Sequence, residues 1–194
     1  MKTKNRFDAD THRYYINGRP VPSVTQVLGD LLPVWKASGW YLQRGRAVHA
    51  CAALIAHGKQ FQHDERIAGQ VAACRKFFTE LRPTVLSVEQ CLFSAIYQYG
   101  GTLDLLARIG TGREVVVDYK STLNGVVPIQ LAAYSLALGA KGPKWGLGVQ
   151  LNEDGSYTSS QYYALKRYEG IWLALLTAYN VRRELKLKEG TDGQ

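Results

Sequence analysis

Two aspartates and a lysine in the middle of the chain occupy stretches that otherwise read as buried strand. Asp104 lies inside Leu103-Asp104-Leu105-Leu106, and Asp118 closes Val115-Val116-Val117, two residues ahead of Lys120. Carboxylates in such runs need partners, because an unpaired buried charge is costly. A hairpin turn centred on Thr111, within Gly110-Thr111-Gly112, pairs Ile109 with Arg113 and carries Asp104 directly across from Asp118. Side chains facing each other across strands sit about 5 Å apart at Cβ, and like charges so placed repel. A shared proton relieves the repulsion, and so does a divalent cation held between the carboxylates. The cation explains more of the sequence. Strand alternation puts Lys120 on the face of Asp118, where an ammonium polarises a nucleophilic water or stabilises a phosphorane-like transition state. The plainer rival is an ordinary Asp118–Lys120 ion pair at a strand end, with Asp104 capping a loop.

Other residues extend the set. His49 follows Gly45 by four residues on the apolar face of a helix, and imidazole is a common metal ligand, although a histidine on such a face also serves as a hydrogen-bonded core residue. Glu89 is either a further ligand, directly or through water, or an exposed strand residue. Arg44 and Arg46 flank Gly45 and suit phosphates, with solvated surface as the alternative. Ser23 and Thr25, at the start of a short helix, suit a terminal phosphate, though N-capping accounts for Ser23 equally well.

The elements that must position these residues follow from periodicity. Asn17-Gly18, between Arg13-Tyr14-Tyr15-Ile16 and Arg19-Pro20-Val21, marks an N-terminal hairpin. A helix is expected from Gly39 to about His57, with Leu42, Gly45, His49, Ala52 and Ala53 on one face. A second runs from about Asp64 to Leu81 with Ile67, Val71, Cys74 and Phe78 inward, and Pro83 ends it. Three strands follow, Val85 to Ala95, Gly101 to Ile109 and Glu114 to Ser121, then a helix from Pro128 to about Leu138. Two more strands, Trp145 to Leu151 and Tyr157 to Leu165, precede a last helix that uses Ile171, Trp172, Leu175, Leu176 and Tyr179. The expected organisation is a single α/β domain over 1–194: an N-terminal hairpin and short helix over 1–38, a core over 39–187 and a flexible tail over 188–194.

The 194 residues are 46% hydrophobic and 21% charged, which excludes disorder, and no apolar run reaches the roughly 18 residues of a bilayer span. The polar opening, Met1 to Asp10, does not read as a signal peptide. Cys51, Cys74 and Cys91 form neither a disulfide framework nor a C-x-x-C pair, so no iron–sulfur cluster is expected and a reducing cytoplasm fits best. The net charge of +8 favours a polyanionic partner. Residues 1–60 hold nine basic and three acidic side chains, so most of the surplus is N-terminal.

Together these residues resemble the PD-(D/E)XK nuclease superfamily, in the branch of the RecB nuclease domain, the mitochondrial genome maintenance exonuclease and many phage exonucleases. The matching pieces come in the family's order: Gly45-Arg46-Ala47-Val48-His49, Glu89, Gly101-Thr102-Leu103-Asp104, Asp118-Tyr119-Lys120-Ser121 and Gln130-Leu131-Ala132-Ala133-Tyr134, preceded by Pro22-Ser23-Val24-Thr25. Each is short; five in order are specific. The resemblance implies a restriction-endonuclease-like αβββαβ core, a central mixed β-sheet flanked by helices. It implies one or two Mg²⁺ or Mn²⁺ ions on His49, Asp104, Asp118 and the Tyr119 backbone carbonyl, with Lys120 orienting or activating water. Gln130 and Tyr134, one helical turn apart, would touch substrate or fix the Lys120 strand. The implied substrate is DNA, single- or double-stranded with a free end, in phage or bacterial recombination, repair or processing, alongside a single-strand annealing or binding protein. A structure-specific endonuclease and an inactive nucleic-acid-binding relative are the alternatives; the second should have lost Asp104, Asp118 or Lys120. Asp118 stands where many members carry Glu, and the absence of a cysteine cluster makes the iron–sulfur relatives a poorer match.

Overall fold

The computed structural model of the chain describes residues 5–32 and 39–185. The expected tail over 188–194 and part of the N-terminal extension lie outside the described residues. Strands β1 (Arg6–Asp8), β2 (Arg13–Ile16) and β3 (Arg19–Val21) form an antiparallel sheet. Asn17 and Gly18 turn between β2 and β3 with φ of 52° and 77°, the paired positive values that an Asn-Gly hairpin turn demands. The three-residue β1 was not expected. It adds a row of backbone pairs, Arg6 to Tyr15 through Asp8 to Arg13, outside the hairpin.

Helix α1 (Val24–Leu31) starts at Ser23, whose hydroxyl accepts the Gln26 N–H at 3.1 Å. After α2 (Trp40–Ala56), a 3₁₀ turn (Glu65–Ile67) leads into α3 (Ala68–Leu81), which stops at left-handed Arg82 just before Pro83. Strands β4 (Thr84–Ser94), β5 (Tyr99–Ile109) and β6 (Arg113–Lys120) run antiparallel in succession. Helix α4 (Val127–Ala137), with Pro128 in its first turn, crosses over so that β7 (Trp145–Leu151) pairs parallel with β6. Short β8 (Tyr157–Ser159) and β9 (Tyr163–Ala164) both pair antiparallel with β7, and α5 (Lys166–Glu184) follows. The larger sheet therefore has the order β4-β5-β6-β7-β8, mixed in direction and covered by helices on both faces, as the expected αβββαβ arrangement requires.

Two apolar clusters sandwich the sheet. On one side α1, α4 and α5 bury Val24, Leu131, Trp172 and Tyr179 around Tyr99, Leu103 and Val116. On the other, α2 and α3 bury Ala52, Val71 and Phe77 against Leu105, Ala107, Val115, Val117 and Tyr119. Leu103 and Leu105, two apart on one strand, belong to opposite clusters. Regular alternation would place them on one face, so β5 changes face at the residue between them, Asp104.

Three expectations change. The single strand over Tyr157 to Leu165 is two, because Ser160 leaves the ladder: its hydroxyl takes the Gly148 N–H and its own N–H goes to the Gly148 carbonyl. In α3 the buried aromatic is Phe77, with Phe78 only partly covered; both lie three or four residues after the buried Cys74, a step that fits either one. In α2 the core residues are Val48, Cys51 and Ala52, while Leu42 is exposed. Apolar residues lie all round this helix, so its periodicity fits more than one phase.

Candidate metal centre

The hairpin register is the expected one as far as it goes. Leu105 pairs with Val117, and there the β5–β6 ladder ends. Asp104 and Asp118 occupy the next positions, beyond the last rung, where the strands part. Asp104, at the change of face, directs one oxygen along the gap: Oδ2 accepts the Tyr119 backbone N–H at 2.8 Å. The N–H and C=O of a strand residue point to the same side, so the Tyr119 carbonyl also faces this gap. The other oxygen, Oδ1, lies 3.1 Å from His49 Nδ1, supplied by α2. Asp118 is 1% exposed and is held from the α4 side. Gln130 Nε2 donates to its Oδ1 at 2.8 Å and to the Tyr134 hydroxyl at 2.9 Å. Lys120 Nζ lies 2.8 Å from Asp118 Oδ2, close in distance but off the hydrogen-bonding direction.

Glu89 completes the group from β4. It stands opposite Asp104 between the Val88–Leu105 and Gln90–Leu103 pairs, and its backbone is left-handed, with φ of 47°. A bulky residue is rarely found there, and such strain clusters at functional sites. Ligand atoms of His49, Glu89 and Asp104 lie within 4.8 Å of one another. Asp118 is outside that trio, engaged instead by Lys120 and Gln130.

The electrostatics fit a site that exchanges protons for a cation. Asp104 and then its own hydrogen bond outweigh desolvation at His49 and push it up to about 9. Burial raises Asp104, but the His49 imidazolium, Lys120 and the Tyr119 N–H together hold its carboxyl below the usual range. Burial, assisted by Asp104 and opposed by Lys120, pushes Asp118 up to about 6. Desolvation and then Asp104 push Glu89 up to about 7. Burial would lower Lys120, yet Asp118 and Asp104 raise it, so it stays an ammonium. Three carboxylates therefore face one ammonium and one imidazole. That donor set, oxygens plus a single nitrogen and no sulfur, suits a divalent cation.

The remaining expected residues are placed as follows. Gln130 and Tyr134 are buried, Gln130 meeting Asp118 and Tyr134 meeting Gln130. Gly101 makes that packing possible, because a Cβ there would come 2.8 Å from the Tyr134 ring and 3.1 Å from Val24. Arg44 is tied to Glu153 and lies over the Tyr41 ring, bridging α2 to the turn after β7. Arg46 is exposed and, among the described residues, in no ion pair. Ser23 is buried, with its hydroxyl 3.3 Å from that of Thr25, and pairs with Gly100 at the start of β5. Asp104 lies four residues farther along that strand, about 13 Å at 3.3 Å per residue. Sequence reasoning missed the contact between Tyr14 and Thr102. The Tyr14 hydroxyl meets Thr102 Oγ1 at 2.7 Å, and the ring packs where a Gly100 Cβ would be, 2.5 Å away, so the N-terminal sheet buttresses the strand of Asp104. Nothing local links residues 88 positions apart.

No protein-family model matches the chain, and no curated protein matches it. Among solved structures it is similar to the alkaline exonuclease LHK-Exo from Laribacter hongkongensis, at 16% identity and a TM-score of 0.37, covering 86% of this chain and 94% of that one. The LHK-Exo complex with dAMP gives 15% identity and a TM-score of 0.43, covering 87% and 95%. SSO0001 gives 14% and 0.34, covering 86% and 85%. At such identities and scores, the chain's own residues have to carry any statement about its chemistry.

Proposed function

We propose that the chain is a divalent-metal-dependent nuclease that hydrolyses DNA phosphodiester bonds and works from free ends. The observation that carries this reading is the meeting of Glu89, Asp104, Asp118, His49 and Lys120, from four elements, where β5 and β6 part. An ordinary ion pair at a strand end would need only Asp118 and Lys120. It would leave a left-handed Glu89 and an Asp104 shared between His49 and the Tyr119 N–H without a purpose. The +8 net charge, concentrated in residues 1–60, and the motif resemblance support the same substrate class.

His49, Glu89 and Asp104 would hold the ion, with Asp118 and the Tyr119 carbonyl beside it. A bound Mg²⁺ or Mn²⁺ supplies charge neutralisation at a phosphate oxygen and a more acidic water. The chain's own residues do the rest. Lys120, whose ammonium Asp118 and Asp104 favour, contributes a positive charge that orients water and stabilises charge developing on phosphorus-bound oxygens. Gln130 anchors Asp118, which in turn fixes the ammonium. Arg46, exposed on the His49 helix, is free to take a neighbouring phosphate. The water oxygen joins phosphorus as the bridging bond breaks; the water gives up a proton to solvent and the departing alkoxide takes one from solvent, leaving a phosphate monoester and a hydroxyl end. The proposal extends to the setting the motifs imply, phage or bacterial DNA recombination, repair or processing.

The test is end-labelled linear DNA and circular DNA, single- and double-stranded, incubated with Mg²⁺, Mn²⁺ or EDTA. Metal-dependent loss of linear DNA with circles intact is expected. Cleaved circles would make it an endonuclease, and cleavage in EDTA would overturn the metal reading.

A further inference from the structure

On helix α2 the arc centred on His49 continues outward through residues the fold leaves uncovered. At 100° per residue, Leu42, Gly45 and Arg46 all lie within about 60° of His49 around the axis. The core side begins on one flank of this arc: Ala52 lies about 60° round from His49, with Val48 and Cys51 farther round. Leu42 is 44% exposed, and Arg46 is exposed with no ion pair among the described residues. Gly45, one turn before His49 and about 40° round from it, lies in the interior of the 17-residue helix. Glycine there is the worst choice after proline, because it adds backbone freedom to the unfolded chain. Among the described residues nothing requires it: a Cβ built on Gly45 would meet no atom within 4 Å. Gly101 and Gly100, by contrast, are forced by ring contacts at 2.8 and 2.5 Å. Gly29 and Gly170 are open too, but neither shares a helix with a residue of the metal centre.

We infer that Gly45 is a positioning residue, the clearance through which the sugar–phosphate backbone of the cleaved strand passes to the metal centre. This rests on the nuclease reading. Gly45 stands about 6 Å up the helix axis from His49, so a strand laid along the arc crosses Gly45 immediately before it reaches the His49–Asp104 pair. Arg46 holds a phosphate on one flank, and Leu42, about 10 Å from His49 along the axis, supports the strand farther out. A side chain at position 45 lifts the strand away from the ligands while leaving the ligands in place.

The experiment compares wild type with Gly45→Ala, Gly45→Leu and, as a control, Gln43→Leu. Gln43 is exposed on the same helix, a third of a turn from His49. Steady-state kinetics on DNA, Mn²⁺ binding by calorimetry and thermal melts are read for each. Gly45→Ala should melt about 2–4 °C higher, as a better helix former. Mn²⁺ affinity should stay within twofold, while KM for DNA rises severalfold for Ala and more than tenfold for Leu. Gln43→Leu should match wild type. Unchanged KM in both Gly45 variants, with wild type active, overturns the inference alone. A rise matched by Gln43→Leu also overturns it. Wild type without metal-dependent cleavage overturns the nuclease reading itself.

Discussion

Loading the site with a cation should expel about one proton at neutral pH, and the expulsion should depend on His49. Metal ligands bind deprotonated, so any ligand that holds a proton in the metal-free protein must release it. His49, held up to about 9 by Asp104, is almost fully protonated at pH 7.5, Glu89, at about 7, is protonated in a minority of molecules, and Asp118, at about 6, hardly at all. Taking His49 and Glu89 as ligands, roughly 1.2 protons leave per ion at pH 7.5 and about 0.2 at pH 9.5. Apparent affinity should therefore rise nearly tenfold per unit between pH 7.5 and 8.5 and level off above 9. The assay is calorimetric titration with Mn²⁺ in pairs of buffers of different ionisation enthalpy, which yields the proton count directly. His49→Gln should bind more weakly and release fewer protons than wild type at pH 7.5, those that remain coming from Glu89. Binding by wild type with no proton released at pH 7.5, or a slope unchanged in His49→Gln, would refute the assignment of His49 as a ligand.

The same pair sets the pH dependence of the metal-free fold. His49 has a folded value above its ordinary 6.5, so its contribution to stability is complete below about 6.5 and lost as pH rises through about 9. Thermal melts should fall across that window, and saturating Mn²⁺ should flatten or reverse the trend because ion binding strengthens with pH; a flat metal-free profile would contradict the ion pair. Gln130→Leu removes the donor to Asp118 Oδ1 inside the core, which should cost about 1.5–3 kcal/mol, lower Tm by roughly 3–10 °C and reduce turnover through a displaced Lys120. Unchanged Tm and turnover would show that Gln130 anchors nothing. Gly101→Ala drives a methyl to 2.8 Å from the Tyr134 ring and should destabilise by about 1–3 kcal/mol in denaturant melts, whereas a neutral result would mean that Tyr134 gives way freely.

Local chemistry was readable from the residues, and long-range geometry was readable only where a turn supplied a ruler. Asn17-Gly18 sets its hairpin, and the Gly110-Thr111-Gly112 turn fixes a register that the strands keep from Arg113–Ile109 to Val117–Leu105. The same ruler fails one pair later, since nothing in Leu103-Asp104-Leu105 signals that the strand changes face and the ladder ends. Asp104 and Asp118 thus approach the gap from opposite sides rather than facing each other across a rung. The phase of α2 is not legible, because alanines and scattered apolar residues leave its core side underdetermined, while the four-residue step from Gly45 to His49 survives any choice of phase. The left-handed Glu89 belongs to a bulged strand whose partner lies 15 residues away, and a lone Glu in Val88-Glu89-Gln90 carries no mark of it. Arg44 reads as a free phosphate binder until the fold brings Glu153, 109 positions later, against it.

The central claim is that these carboxylates, with Lys120, hydrolyse DNA with a divalent ion. Its most direct test is cleavage of end-labelled linear DNA with Mn²⁺ by wild type, Asp118→Ala and Lys120→Ala, each shown to be folded by thermal melt. Wild type should cleave and stop in EDTA; Lys120→Ala should still bind Mn²⁺ but lose about 10²–10³-fold in rate, the usual cost of one transition-state charge partner, and Asp118→Ala should lose at least as much. Full activity in both folded variants, or wild-type cleavage that persists in EDTA, would contradict it.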